Sequence, residues 1–160
     1  MSEGFALGVL VAAVLAAGLI AGLFYSYSVS VMPGLARADA RTYVEGMRGI
    51  NVAILNGWFA LSFGGAPVLA LAAGLLHLPA SLRPALPWIA AGFVLLLVMI
   101  IVTMTISVPL NNALDAGGTD FAAVRERFEN AWVRWNNVRT FVSIAGFGCL
   151  VWALVVHARA

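Results

Sequence analysis

The chain has 160 residues, 62% of them hydrophobic and 10% charged, with a formal net charge of +2. That length predicts one domain, and so low a charged fraction excludes an ordinary soluble one. Nucleic-acid binding is excluded too, because the nine basic residues, all Arg, share their connections with acidic residues that dilute any basic patch.

Four intervals contain no Asp, Glu, Lys or Arg: between Glu3 and Arg37, Arg48 and Arg83, Arg83 and Asp115, and Arg139 and Arg159. Each can hold the roughly 20 apolar residues of a bilayer crossing, the last by reaching back past Arg139. The expected fold is all-α: a transmembrane four-helix bundle forming a single integral membrane domain over residues 1–160, with spans at about 5–32, 50–76, 86–108 and 136–157.

Span 1 is too long, and its start too poor in Arg, for a cleaved signal peptide. It carries small residues every fourth position, at Gly4, Gly8, Ala12 and Ala16 and again at Gly18, Gly22, Ser26 and Ser30. Such rows let helices approach closely in lipid, within the bundle or between copies of a homo-oligomer. "YSYSVSVMPGL" follows, and Pro33 is expected to end the helix. Asp39 then reads as an N-cap, and Tyr43, Met47 and Ile50 as the apolar stripe of a short amphipathic helix leading into span 2. After the proline-rich turn "HLPASLRPALP", span 3 ends in "SVPLNNAL". Thr119 or Asp120 caps a second amphipathic helix before span 4, with Phe121, Val124, Phe128, Trp132 and Trp135 on one stripe. Each half thus reads span, "SV" near a proline, turn, amphipathic helix, span. "YVEGMRGIN" matches "FENAWVRWN" weakly, as in a parallel two-fold repeat.

Charge sets the expected orientation. Seven Arg lie in the two long connections (Arg37, Arg41, Arg48, Arg125, Arg127, Arg134, Arg139) and two at the other end (Arg83, Arg159). The positive-inside rule then predicts a multi-pass cell-membrane protein with both long connections cytoplasmic and both termini outside. Cys149 is alone, so no internal disulfide forms.

Polar side chains inside spans cost free energy unless paired, so their positions carry information. On span 1, Tyr25, Ser28 and Met32 share a face; on span 3, Thr103, Ser107 and Asn111 recur every fourth residue. Span 2 opens with Arg48 and Asn51, and span 4 with Trp132, Asn136, Arg139 or Thr140, and Ser143. Arg134 points elsewhere. All four clusters fall at the cytoplasmic end. Helix caps and interhelical hydrogen bonds are one account of them; a polar pocket is the other, and the convergence on one end favours it.

The same residues carry a family resemblance. "FYSYSVSVMPGL", "MRGIN", "SVPLNNAL" and "WVRWNNVRT", in that order, resemble the anthrone-oxygenase-like family of small four-span membrane proteins, a domain of unknown function in most bacterial members. The matching positions are Ser30, Pro33, Arg48, Asn51, Pro109, Asn111, Trp132, Asn136 and Arg139. The resemblance implies oxygenation of an anthrone-like hydrophobic aromatic with no recognised cofactor. In that chemistry Arg48, Arg139 and Asn136 suit an oxyanion. Glu45 ranks first as base, ahead of Glu129, Asp115, Tyr25 and Tyr27, although an ion pair with Arg41 or Arg48 explains Glu45 equally well. Tyr25, Ser28, Met32, Asn51, Ser107, Asn111 and Trp132 are the expected substrate contacts.

Two other functions compete. A carrier or lipid-binding accessory protein would use the same polar residues, although the spans lack Asp or Glu to couple ions. A haem or metal site would use His77 and His157 at the outer face. Counted from Asn51 and Asn136, those two differ in height by five residues, roughly 7.5 Å, which argues against a level pair. No metal ligand set is expected, and the expected partners are membrane lipids and a hydrophobic small molecule.

Overall fold

The computed structural model describes residues 3–159 and places them in five helices, with no strand among the described residues. Four are long and apolar enough to cross a membrane: α1 (Glu3–Leu35), α3 (Gly57–Leu76), α4 (Arg83–Ala116) and α5 (Phe121–His157). The short α2 (Ala40–Ala53) joins α1 to α3. The long helices pack as a ring in which α1 touches α3 and α5, and α4 touches α3 and α5.

Several boundaries differ from expectation, each for a local reason. Span 2 begins at Gly57 and not near residue 50, because the chain leaves the helix between Ala53 and Gly57. Asn56 recaps it, its Oδ1 accepting from Phe59 N at 3.0 Å. Arg48 and Asn51 therefore sit on α2, outside the span they were expected to open. Before span 4 there is no break. Asp120 caps α5 by accepting from Ala123 N at 3.2 Å, and one helix of 37 residues continues to His157. Its length, about 55 Å, exceeds the hydrocarbon core, so its first turns stand clear of the apolar layer.

Pro33 does not end α1. The helix widens into a π turn over Tyr27–Val31 and continues through the proline to Leu35. Pro109 behaves alike in α4, following a π turn over Thr103–Ser107. In a regular helix a proline ring collides with the carbonyl four residues earlier; here the widened turn directly precedes each proline. The offset is the same in both halves, and the weak repeat acquires a geometric counterpart. Tyr43 and Phe128, equivalent in the repeat, meet edge to face at 6.4 Å.

The interior has three layers. At the end bearing the termini, Leu10, Ala13, Ala17, Ile20, Ala70, Ile89, Leu96 and Leu150 form an apolar core. Helices α4 and α5 approach closely where Gly92 faces Gly146: a Cβ on Gly92 would lie 3.1 Å from Gly146 O and 2.8 Å from Leu150 Cγ. At the α2 end, Met32, Tyr43, Val44, Met47, Leu114, Val124, Phe128 and Trp132 form a second core. Asp39 caps α2, and bonds from Thr42 hold its carboxyl below the usual range. Arg125 fastens α5 to the α1–α2 turn, donating to Ala38 O at 2.8 Å and Ala36 O at 2.9 Å while pairing with Glu129. Between the two cores lies a polar layer: Thr103, Ser107, Asn136, Arg139, Thr140 and Ser143 are all buried.

His77 and His157 do meet. Their Nε2 and Nδ1 atoms are 3.0 Å apart, which overturns the expected mismatch in height. The count from Asn51 assumed an unbroken helix, and the break before Gly57 removes that basis. His77 Nδ1 lies 2.7 Å from Ala73 O, which can only accept, so Nδ1 carries the proton and Nε2 accepts from His157.

Candidate functional site

Asn136 is the hub of the polar layer. Its Nδ2 donates to Phe24 O at 3.1 Å and to Ser28 Oγ at 2.9 Å, tying α5 to α1 at the start of the π turn. Its Oδ1 accepts from Arg139 Nη2 at 3.1 Å. Thr140, one turn further on, meets Ser28 Oγ at 3.0 Å. These bonds satisfy backbone and hydroxyl groups that would otherwise lie bare in an apolar interior.

Arg139 is 5% exposed, and no carboxylate among the described residues pairs with it. Its guanidinium lies between two rings, 4.5 Å from the Phe24 centroid and 5.2 Å from that of Trp132. Cation–π attraction offsets part of the desolvation of this charge, but gives its N–H groups no acceptor. Trp132 is held by its own bond, Nε1 to Asn111 Oδ1 at 2.9 Å, and by Tyr27, whose ring is 5.5 Å away.

These groups border a cavity of about 170 Å³ between α1, α2, the start of α3, α4 and α5, with Phe24, Tyr27 and Phe59 in its wall. Of the expected site residues, Asn51, Ser107, Asn111, Trp132, Asn136 and Arg139 all line it. Thr103 joins them, because the π turn holds more than four residues and keeps the every-fourth-residue series facing inward where a regular helix would drift.

The other expected residues lie elsewhere. Tyr25 is 53% exposed on the outer face of α1, and Tyr27 occupies the position expected of it. Met32 is buried in the α2-end core, and Ser28 serves the Asn136 network. Arg48 closes the end of α4, its Nη2 donating to Leu114 O at 2.8 Å and to Gly118 O at 3.0 Å. Gly118 takes the left-handed conformation there, φ 71°. Glu45 pairs with Arg41 at 2.9 Å on the exposed face of α2. Asp115, one turn from Asn111 on α4, is the cavity's only carboxylate among the described residues. Phe24 was missed, and Tyr27 was weighed as a base but not expected as a substrate contact, because a straight-helix projection of α1 gives no hint of the π turn. Asp115 was weighed as a base, but nothing in its spacing separated it from Glu45.

Neither curated proteins nor solved structures yield a match to the chain. The family model described as anthrone oxygenase matches residues 56–149, more than half of the chain, and takes in Thr103, Ser107, Asn111, Asp115, Trp132, Asn136 and Arg139. With four membrane-capable helices, and those residues gathered around one cavity, the chain belongs to the anthrone oxygenase family.

Proposed function

We propose that the cavity at the α2 end is the active site of an oxygenase acting on a hydrophobic, enolisable aromatic ketone or phenol. The observation that carries this reading is Arg139: a buried guanidinium without a carboxylate partner, facing a cavity with aromatic walls. Such a group has its use when negative charge develops beside it.

An anthrone methylene has acidic C–H bonds because the resulting carbanion is also an aromatic enolate. In the proposed reaction Asp115 takes one proton, and Arg139, held in place by Asn136, stabilises the enolate oxygen. Dioxygen adds at the carbon, and the proton returns from Asp115 to give a hydroperoxide. Loss of water then leaves a carbonyl, with one oxygen atom in the product and the other in water. The methylene gives up four electrons and dioxygen accepts four, so the reaction balances with no external reductant. Asp115 replaces Glu45 as base because Asp115 lines the cavity while Glu45 pairs with Arg41 away from it.

The size of the cavity bears on the substrate. A cavity of about 150 Å³ accommodates one benzene ring, so 170 Å³ takes one ring of a polycyclic substrate and leaves the rest to protrude. Leu55 and Phe59 border both this cavity and a neighbouring surface groove at the α2–α3 break, a route for a lipid-dissolved substrate. The bias of Arg residues supports both long connections, and hence the cavity, on the cytoplasmic side.

The test is oxygen uptake by the purified protein in detergent with anthrone. Wild type should consume one dioxygen per anthrone oxidised, and Asp115→Asn and Arg139→Gln should each slow uptake by a factor of ten or more. Equal uptake by wild type and Arg139→Gln would refute this site.

A further inference from the structure

Three buried polar atoms on residues lining this cavity have no hydrogen-bond partner within the protein: Arg139 Nε, Ser107 Oγ and Asn51 Nδ2. Their residues come from three helices, α5, α4 and α2. Arg139 and Ser107 are 5% and 2% exposed, so water is poorly placed to serve them from outside. The only other such atom among the described residues, Tyr43 Oη, belongs to the α2-end core and is not part of the cavity lining.

The chemistry of these atoms is one-sided. The guanidinium and amide nitrogens only donate, and the hydroxyl can turn to donate. Arg139 already spends one donor on Asn136 Oδ1 and still carries a full positive charge. A neutral ketone or ether oxygen would answer the donors but not the charge. An oxygen bearing negative charge answers both, and charge-assisted bonds of this kind are the stronger ones. The rings of Phe24, Phe59 and Trp132 take up the aromatic body beside it.

We infer that the cavity binds its aromatic ligand as an oxyanion, with the charged oxygen held by Arg139 Nε, Ser107 Oγ and Asn51 Nδ2. This rests on the cavity being the functional site, as proposed above, but not on oxygen chemistry. A phenol or enol entering the site is ionised there, its proton leaving to Asp115 or to solvent; a carboxylate arrives ionised. Phenolate, enolate and carboxylate share the recognition chemistry, and probes separate them.

The probe is 4-nitrophenol, a single ring that fits the cavity and turns yellow on ionisation, titrated anaerobically against purified protein in detergent. Wild type should bind the phenolate and lower the apparent pKa of the bound probe by at least one unit relative to empty micelles. Arg139→Gln should abolish that shift. Ser107→Ala and Asn51→Leu, milder changes that keep the fold testable, should each weaken phenolate binding severalfold. 4-Nitroanisole, the neutral analogue, should bind at least tenfold more weakly. Benzoate that competes marks a site open to carboxylates; benzoate that fails to compete beside a bound phenolate restricts it to phenolates and enolates. No binding by wild type, binding of the probe as neutral phenol, or an unchanged shift in Arg139→Gln would each overturn the inference. Phenolate binding without oxygen uptake on anthrone would instead sink only the oxygenase reading.

Discussion

Replacing Asn136 with Leu tests whether the polar layer holds the bundle together as well as lining a cavity. The change keeps the number of side-chain heavy atoms and the branch point, so the main effect is polar. Two bonds from α5 to α1 are lost, to Phe24 O and Ser28 Oγ, and Arg139 loses its only acceptor. Interhelical hydrogen bonds in membranes average about 0.6 kcal/mol, so the first two amount to about 1.2 kcal/mol. A bond to a charged group is worth about 1.5–3 kcal/mol. The sum is about 3–4 kcal/mol, a large fraction of the stability of a domain this size. The assay is reversible unfolding in mixed micelles titrated with SDS. Because most of the loss comes from a stranded guanidinium, Asn136→Leu combined with Arg139→Leu should cost less than the two single changes added together. Asn136→Leu within about 0.5 kcal/mol of wild type, or strict additivity of the pair, would refute the reasoning.

Other consequences can be checked in the same preparations. Gly92→Ala places a Cβ 2.8 Å from the buried Leu150 Cγ and should destabilise by about 1–3 kcal/mol, whereas Gly148→Ala, with open space around it, should be close to neutral by the same titration. Trp132→Phe keeps a ring against Arg139 but loses the bond to Asn111. It should cost about 1 kcal/mol and slow oxygen uptake, and an unaffected rate would show that the orientation of this ring is immaterial. Burial, reinforced by Glu129, raises the Tyr43 phenol above its usual 10.0, so the unfolded chain ionises there first. The stabilisation is complete below pH 10 and is lost as pH rises towards the folded value; Tyr43→Phe should flatten that alkaline decline in a series of melting curves. For sidedness, Ser81→Cys and Thr119→Cys in a Cys149→Ala background should label from outside and inside respectively with an impermeant maleimide. The opposite pattern would invert the proposed orientation.

The four long helices were legible because a bilayer demands uninterrupted apolar length, and charge-free intervals report that directly. The gathering of Asn51, Ser107, Asn111, Trp132, Asn136 and Arg139 was legible from alternating topology plus helical spacing. Backbone irregularity was not. A π turn has no strong composition signal, so the proline after it read as a terminus and Tyr25 was favoured over Tyr27. The helix break at residues 54–56 was likewise hidden inside an apolar stretch, and from that came the misplaced start of span 2 and the error in the height of His77. Arg48 and Glu45 illustrate a third limit. A charged side chain near a site in sequence has several partners within reach, and only coordinates show that one caps α4 while the other pairs with Arg41.

The two π turns bear on which changes in length the chain can absorb. Each holds one residue more than a regular helix needs to cover the same turn, so deleting a residue within Tyr27–Val31 or Thr103–Ser107 would leave a helix with better local hydrogen bonding. It would leave everything beyond the deletion nearly in phase, because the shorter regular turn covers the same angle as the π turn it replaces. In α1 the segment carrying Met32 would keep its face to the core; in α4 Asn111 and Asp115 would stay at the cavity wall. A deletion elsewhere in α1 or α4 would instead rotate the far segment by about 100° and turn the same residues away. These two turns are thus the places where each helix can lose a residue while one face still serves an apolar core along half its length and the cavity along the other.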